Sequence, residues 1–137
     1  MKAHLKNIIG IAALGMILLA TTVPTWAGSV NTSQVLIGSN QLFDYANGSM
    51  VGARYSTDNK QSIGCRIETH FTPVATYVIC YASDSTGKYF SCSSADPQLV
   101  EVAQGLTDSS YIAFQVNKTT ASGCGRIVIY NGSDTQK

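Results

Sequence analysis

Charge is scarce in this chain: Asp, Glu, Lys and Arg make up 12% of its 137 residues, and no basic block occurs. Nucleic acids and anionic membranes are gripped by clustered Lys and Arg, so neither is expected as a partner. Histidine is scarcer still. His4 belongs to an apolar leader, which leaves His70 as the one imidazole of the body. The single tryptophan, Trp26, also lies in the leader. There is no C-x2-C pair of the kind that holds zinc, and no dense run of oxygen ligands of the kind that holds calcium. Asp84 reads as a turn residue and Asp96 as a helix cap, and Gly123-Cys124-Gly125 lacks the flanks of a phosphate loop. No metal and no cofactor are expected. Serine is plentiful, yet no G-x-S-x-G elbow frames one as a nucleophile.

What is present begins with the leader. Lys2 and Lys6 precede a nearly unbroken apolar run from Ile8 to Val23, and Thr25-Trp26-Ala27 offers small residues where a signal peptidase cuts. The run is shorter than the roughly 20 residues of a membrane span. Residues 1–27 are therefore expected to be a signal peptide and 28–137 a single β-rich secreted domain, placed outside the cell or in the periplasm. No membrane span is expected after its removal. Losing Lys2 and Lys6 leaves seven basic residues against eight acidic ones, and 110 residues suffice for one domain.

All four cysteines, Cys65, Cys80, Cys92 and Cys124, fall in that domain. An even number in an exported chain reads as two disulfides, with three possible connectivities. The preferred one joins Cys65 to Cys80 across a hairpin turning at Thr72-Pro73, and Cys92 to Cys124. The rival Cys80–Cys92 remains open, because a turn at Ser85–Gly87 sets those two opposite each other.

Apolar alternation then reads as strands: Val35–Ile37, Leu42–Tyr45, Val51–Tyr55, Ile63–Phe71, Thr76–Ala82, Lys88–Ser93, Tyr111–Val116 and Gly125–Tyr130. Asn47-Gly48 is a hairpin signal between the second and third. Thr76–Ala82 is apolar almost throughout, which predicts a central strand covered on both faces. From Asn131 the tail is polar and is expected to fray. One helix is marked at both ends, over about 96–105. Asp96 caps it, Pro97 fits its first position, Leu99, Val102, Ala103 and Leu106 form its stripe, and Gly105 stops it. The fold class is α+β: an antiparallel sheet with one short helix, stapled by disulfides.

The spacing of Cys80, Ala82, Asp84, Gly87, Cys92 and Asp96-Pro97, with Cys124 and Ile127-x-Ile129, resembles a pattern in small exported bacterial proteins of uncharacterised function. The resemblance covers residues 80–130. It implies a shared disulfide-stapled β-rich domain and carries no activity and no site residues.

Two sets of side chains invite a functional reading. Arg66, Glu68 and His70 alternate along one strand and share a face. They form either an acid–base cluster or the solvated side of a half-buried strand, and a general base further needs a pocket and a matched pKa. Tyrosines form the second set. Tyr77 and Tyr81 share one strand parity, Tyr89 lies across a turn from Tyr81, and Tyr111 and Tyr130 come later. Tyr81, Tyr89 and Tyr130 are the candidate binding residues, through stacking on sugar rings or a protein-binding patch. The competing expectation places most tyrosines in the core or in cross-strand pairs. The sequons at Asn31, Asn47, Asn117 and Asn131 read as turn composition. The function expected is an exported, non-catalytic binding module for an extracellular or envelope protein or a glycan. One alternative is a small inhibitor of an extracellular or cell-wall hydrolase, presenting a braced loop such as Asn117–Gly123. The other is a small secreted enzyme or toxin centred on His70.

Overall fold

Seven strands fall into two antiparallel sheets in the computed structural model, which describes residues 31–119 and 123–135. In chain order the elements are β1 (Leu36–Ser39), β2 (Phe43–Ser49), α1 (Met50–Arg54), β3 (Ser62–Phe71), β4 (Val74–Ser83), β5 (Tyr89–Ser94), α2 (Pro97–Gln104), β6 (Tyr111–Asn117) and β7 (Cys124–Tyr130). One sheet runs β1-β2-β6-β7 and the other β3-β4-β5. The leader lies outside the described residues, as does the middle of the loop proposed for an inhibitor, residues 120–122.

The core lies between the two sheets. Ala46, Ile112, Phe114 and Ile127 come from the first, and Ile63, Val78, Cys80, Ala82 and Cys92 from the second. Phe90 on β5 stacks on Phe114 on β6, their rings 5.5 Å apart and nearly parallel, so the aromatic contact bridges the layers. α2 closes one side. Its cap is as read: the Gln98 N–H donates to Asp96 Oδ1 at 2.8 Å, and Pro97 occupies the first turn. Its stripe holds at Leu99, Ala103 and Leu106 but takes Val100 in place of Val102. Val100 and Ala103 are buried with Leu99 and Leu106 beside them, while Val102 is 40% exposed. The helix contacts β7 as well as β3 and β4, so its inward face is aimed at the seam between the sheets and not at one hairpin.

Three further expectations are corrected. Asn47-Gly48 makes no turn, because β2 runs straight through it in register with β6. The expected strand at 51–55 is α1: Ser49 Oγ accepts from the Gly52 N–H at 3.2 Å, and a Cβ on Gly52 would stand 2.4 Å from the Ser33 carbonyl oxygen. Only a backbone pressed that close to its neighbour explains the choice of glycine there, a long-range fact that alternation cannot report. The tail does not fray through Thr135, which is fully buried, and the Asn31 N–H donates to the Asp134 carbonyl.

The turn between β4 and β5 forms as expected. Asp84 Oδ1 accepts from the Thr86 and Lys88 N–H groups, and Gly87 takes a positive φ of 87°. The disulfides are Cys65–Cys80 and Cys92–Cys124, the preferred pairing. The first crosses β3 and β4 between directly opposed residues. The second joins β5 to β7 and so ties one sheet to the other.

Candidate functional site

Strand alternation divides each sheet into an inward and an outward face. On β3, β4 and β5 the cysteines, Ile63, Val78 and Ala82 point inward. The outward set is then Gly64, Arg66, Glu68 and His70 on β3, Tyr77, Ile79 and Tyr81 on β4, and Tyr89, Ser91 and Ser93 on β5. β4 is central in its sheet, yet its outer face is not covered: Tyr77, Ile79 and Tyr81 are all half-buried. The continuous apolar run reflects an inward aliphatic row beside an outward aromatic one.

The charged row assembles as read. Arg66 Nε lies 2.6 Å from Glu68 Oε1, and His70 Nε2 lies 3.9 Å from Glu68 Oε2. Tyr77, directly opposite Glu68, presents itself edge-on to the His70 ring at 5.5 Å. Beside them a groove of about 360 Å³ runs over Ile79 and Ser93 to Thr72 and Pro73. The His70 side chain is 59% exposed, and the nearest carboxylate is already engaged by Arg66. A general base works at a desolvated, positioned site, and this imidazole stands in water with its carboxylate partner turned to a guanidinium.

All seven tyrosines of the chain stand on outward surfaces; none is buried. The core aromatic contact is made by Phe90 and Phe114 alone among the described residues. Of the expectation that most tyrosines lie in the core or in cross-strand pairs, the core half fails and the cross-strand half holds: Tyr111 faces Tyr130, and Tyr77 meets His70. Tyr77, Tyr81 and Tyr89 share the outer face of β3–β4–β5. Tyr81 lies across Gly64, where an added Cβ would meet its hydroxyl at 2.9 Å, so the missing side chain seats the ring against the sheet.

Tyr130 belongs elsewhere. It sits opposite Tyr111 on the outer face of the other sheet, and its hydroxyl donates to Asp134 Oδ1 at 3.1 Å. That carboxylate raises the Tyr130 pKa above 10.0, first through the hydrogen bond and then through its charge. The same sheet carries a second depression of about 270 Å³ over Ala113, walled by Tyr45, Asn47, Gln115 and Arg126. Sequence reading missed it, because nothing local marks Ala113 as a gap between larger neighbours on adjoining strands.

A third feature is the far half of the β3–β4 hairpin. β5 pairs with β4 only from Val78 onward, so residues 68–77 project as two strands beyond the third. Cys65–Cys80 closes the base, and the tip holds Phe71, 85% exposed, and Val74, 80% exposed. Among the described residues no cluster of three or more His, Cys, Asp or Glu side chains could hold a metal ion, and no helix is long and apolar enough to cross a membrane.

No family model matches the chain, and neither a curated protein nor a solved structure gives a significant match.

Proposed function

We propose that this protein is an exported, non-catalytic binding module that takes a glycan across the outer face of β3, β4 and β5. The observation that carries the reading is the outward placement of every tyrosine, three of them on one face, where Tyr77 lines a groove. The core is built without tyrosine, so these rings keep exposed surface even where they pack cross-strand, and an aromatic face next to hydroxyls suits a sugar's apolar face and polar rim. Ser91, Ser93 and Thr72 supply the hydroxyls. Arg66 and Glu68 neutralise each other, which leaves the face without a net pull on a charged partner. Two disulfides fit the oxidising compartment that export implies. A glycan array probed with the oxidised protein tests this, with Tyr77→Ala and Tyr81→Ala as variants. Binding should appear and should fall by about fivefold in each variant, since stacking one ring contributes on the order of 1 kcal/mol. Equal binding by both variants sinks the proposal.

The inhibitor reading is favoured by a separate observation, the hairpin closed at its base by Cys65–Cys80 with an apolar tip. A pre-braced loop loses little entropy on docking into a hydrolase cleft. Inhibition of an extracellular protease or cell-wall hydrolase that Phe71→Ser abolishes is its test.

A further inference from the structure

The free edge of β3 carries an inference that uses neither the tyrosine face nor a glycan. β3 is ten residues long, lies at the edge of its sheet, and pairs with β4 without a bulge. An edge strand of that length offers unpaired N–H and C=O groups, and proteins usually blunt such an edge with proline, lysine, a bulge or a covering element. Ile63 to Phe71 contains no proline and no lysine. α1 lies near the start, at Ser62 and Ile63, and α2 and β2 also contact β3, but no strand pairs with its outer edge.

We propose that two copies of this chain join through that edge, β3 against β3 in antiparallel register about a two-fold axis at Ile67. The register follows from the side chains. Outward residues must face outward residues in a continuous sheet, so the axis must pass through a residue and not between two. An axis at Arg66 sets that guanidinium against its own copy, and an axis at Glu68 does the same with two carboxylates. At Ile67 each Arg66 stands opposite Glu68 of the second copy on the outer face, twice by symmetry. On the inner face the half-exposed Ile67 meets its own copy. The same register brings Phe71 of one copy opposite Ile63 of the other, with both side chains pointing inward. Beside Ile63 lies a groove of about 180 Å³ lined by Met50 and Ala53 together with Arg54, Gln61 and Ser62. The exposed Phe71 ring therefore has a receiving site on its copy at the position that charge pairing independently selects.

The product is a six-stranded sheet, β5-β4-β3-β3-β4-β5, with both tyrosine faces on one side and still open. The dimer buries Phe71, so it competes with the inhibitor reading and leaves the glycan reading untouched.

Sedimentation velocity of the oxidised protein over a concentration series tests it. The native chain should reach dimer mass. Arg66→Glu should raise the dissociation constant by about tenfold or more, because it sets like charges against each other. Arg66→Glu with Glu68→Arg restores self-complementarity and should restore the dimer. Phe71→Ser should weaken it while keeping the native circular dichroism. A chain that stays monomeric throughout, or a folded double variant that remains as dissociated as the single, overturns the proposal.

Discussion

Cys80 and Cys92 stand directly opposite each other on β4 and β5, yet neither is bonded to the other. Cys80 also stands opposite Cys65, so three thiols line up across the inner face of one sheet and a fourth reaches in from β7. The native choice spends one bond on the hairpin and one on joining the sheets. In the chain-entropy model these bonds constrain the unfolded chain by about 3 kcal/mol for the shorter loop and about 4 for the longer. Cys65→Ser should leave Cys80 as the one free thiol and keep Cys92–Cys124, which closes the longer loop and joins the sheets. Mass-spectrometric mapping of the variant should find that single bond. A Cys80–Cys92 bond with Cys124 free would contradict the account.

Gly52 is the point where the N-terminal segment lies on α1. Its missing Cβ would come within 2.4 Å of the Ser33 oxygen and 2.6 Å of the Thr32 oxygen, both main-chain atoms that have no rotamer to yield. Gly52→Ala should cost about 1–3 kcal/mol in denaturant unfolding, against a small gain for the same change in a free-standing helix. An unchanged midpoint would mean that residues 32–33 are not held there.

Val35 is buried and donates its N–H to Gln61 Oε1 at 2.7 Å, while Gln61 Nε2 donates to Asp58 Oδ2 at 2.6 Å. Gln61→Ala orphans a buried donor and should cost about 1–3 kcal/mol. The Asp58 carboxyl is held below its ordinary 3.8 by the Gln61 amide first and the Lys60 N–H second. A lowered carboxyl pKa contributes stability that is complete above 3.8 and is lost as pH falls through the lower, folded-state value. Asp58→Asn should therefore be less stable than the native chain at neutral pH by a gap that closes in acid. A gap that widens as pH falls below 3.8 would reverse the assignment.

Tyr130 offers a spectroscopic check on the second sheet. Its phenol titrates above 10.0 because ionisation would place it against the Asp134 carboxylate. In Asp134→Asn the Tyr130 ring resonances should shift at lower pH than in the native protein. Identical titration curves would show that the contact is not made.

Much of the fold could be read from residues whose duty is local. Asp96-Pro97, Asp84 and Gly87 act on backbone within four positions, and each does what its chemistry requires; Gly105 ends the helix at a φ of −75°, without the left-handed turn that glycine allows. Alternation placed Arg66, Glu68 and His70 on one face for the same reason. What escaped depends on distant partners. Gly52 makes a helix where alternation suggested a strand, because Thr32 and Ser33 press on it. Val100 replaces Val102 in the helix stripe because α2 meets two sheets. The split of one expected sheet into two rests on β2 pairing with β6, which lie far apart in sequence. The tyrosines carry the same lesson: strand parity grouped Tyr77 with Tyr81, but which parity faces water is settled only by what packs beneath.

The most direct test of the binding face is an amide and aromatic NMR map of the oxidised protein titrated with the strongest oligosaccharide from a glycan array. The account predicts shifts at Tyr77, Ile79, Tyr81, Tyr89 and Ser93, with the core signals of Ile112 and Phe114 unmoved. Shifts confined to Tyr45, Gln115 and Arg126 on the other sheet, or none for any glycan, would contradict it.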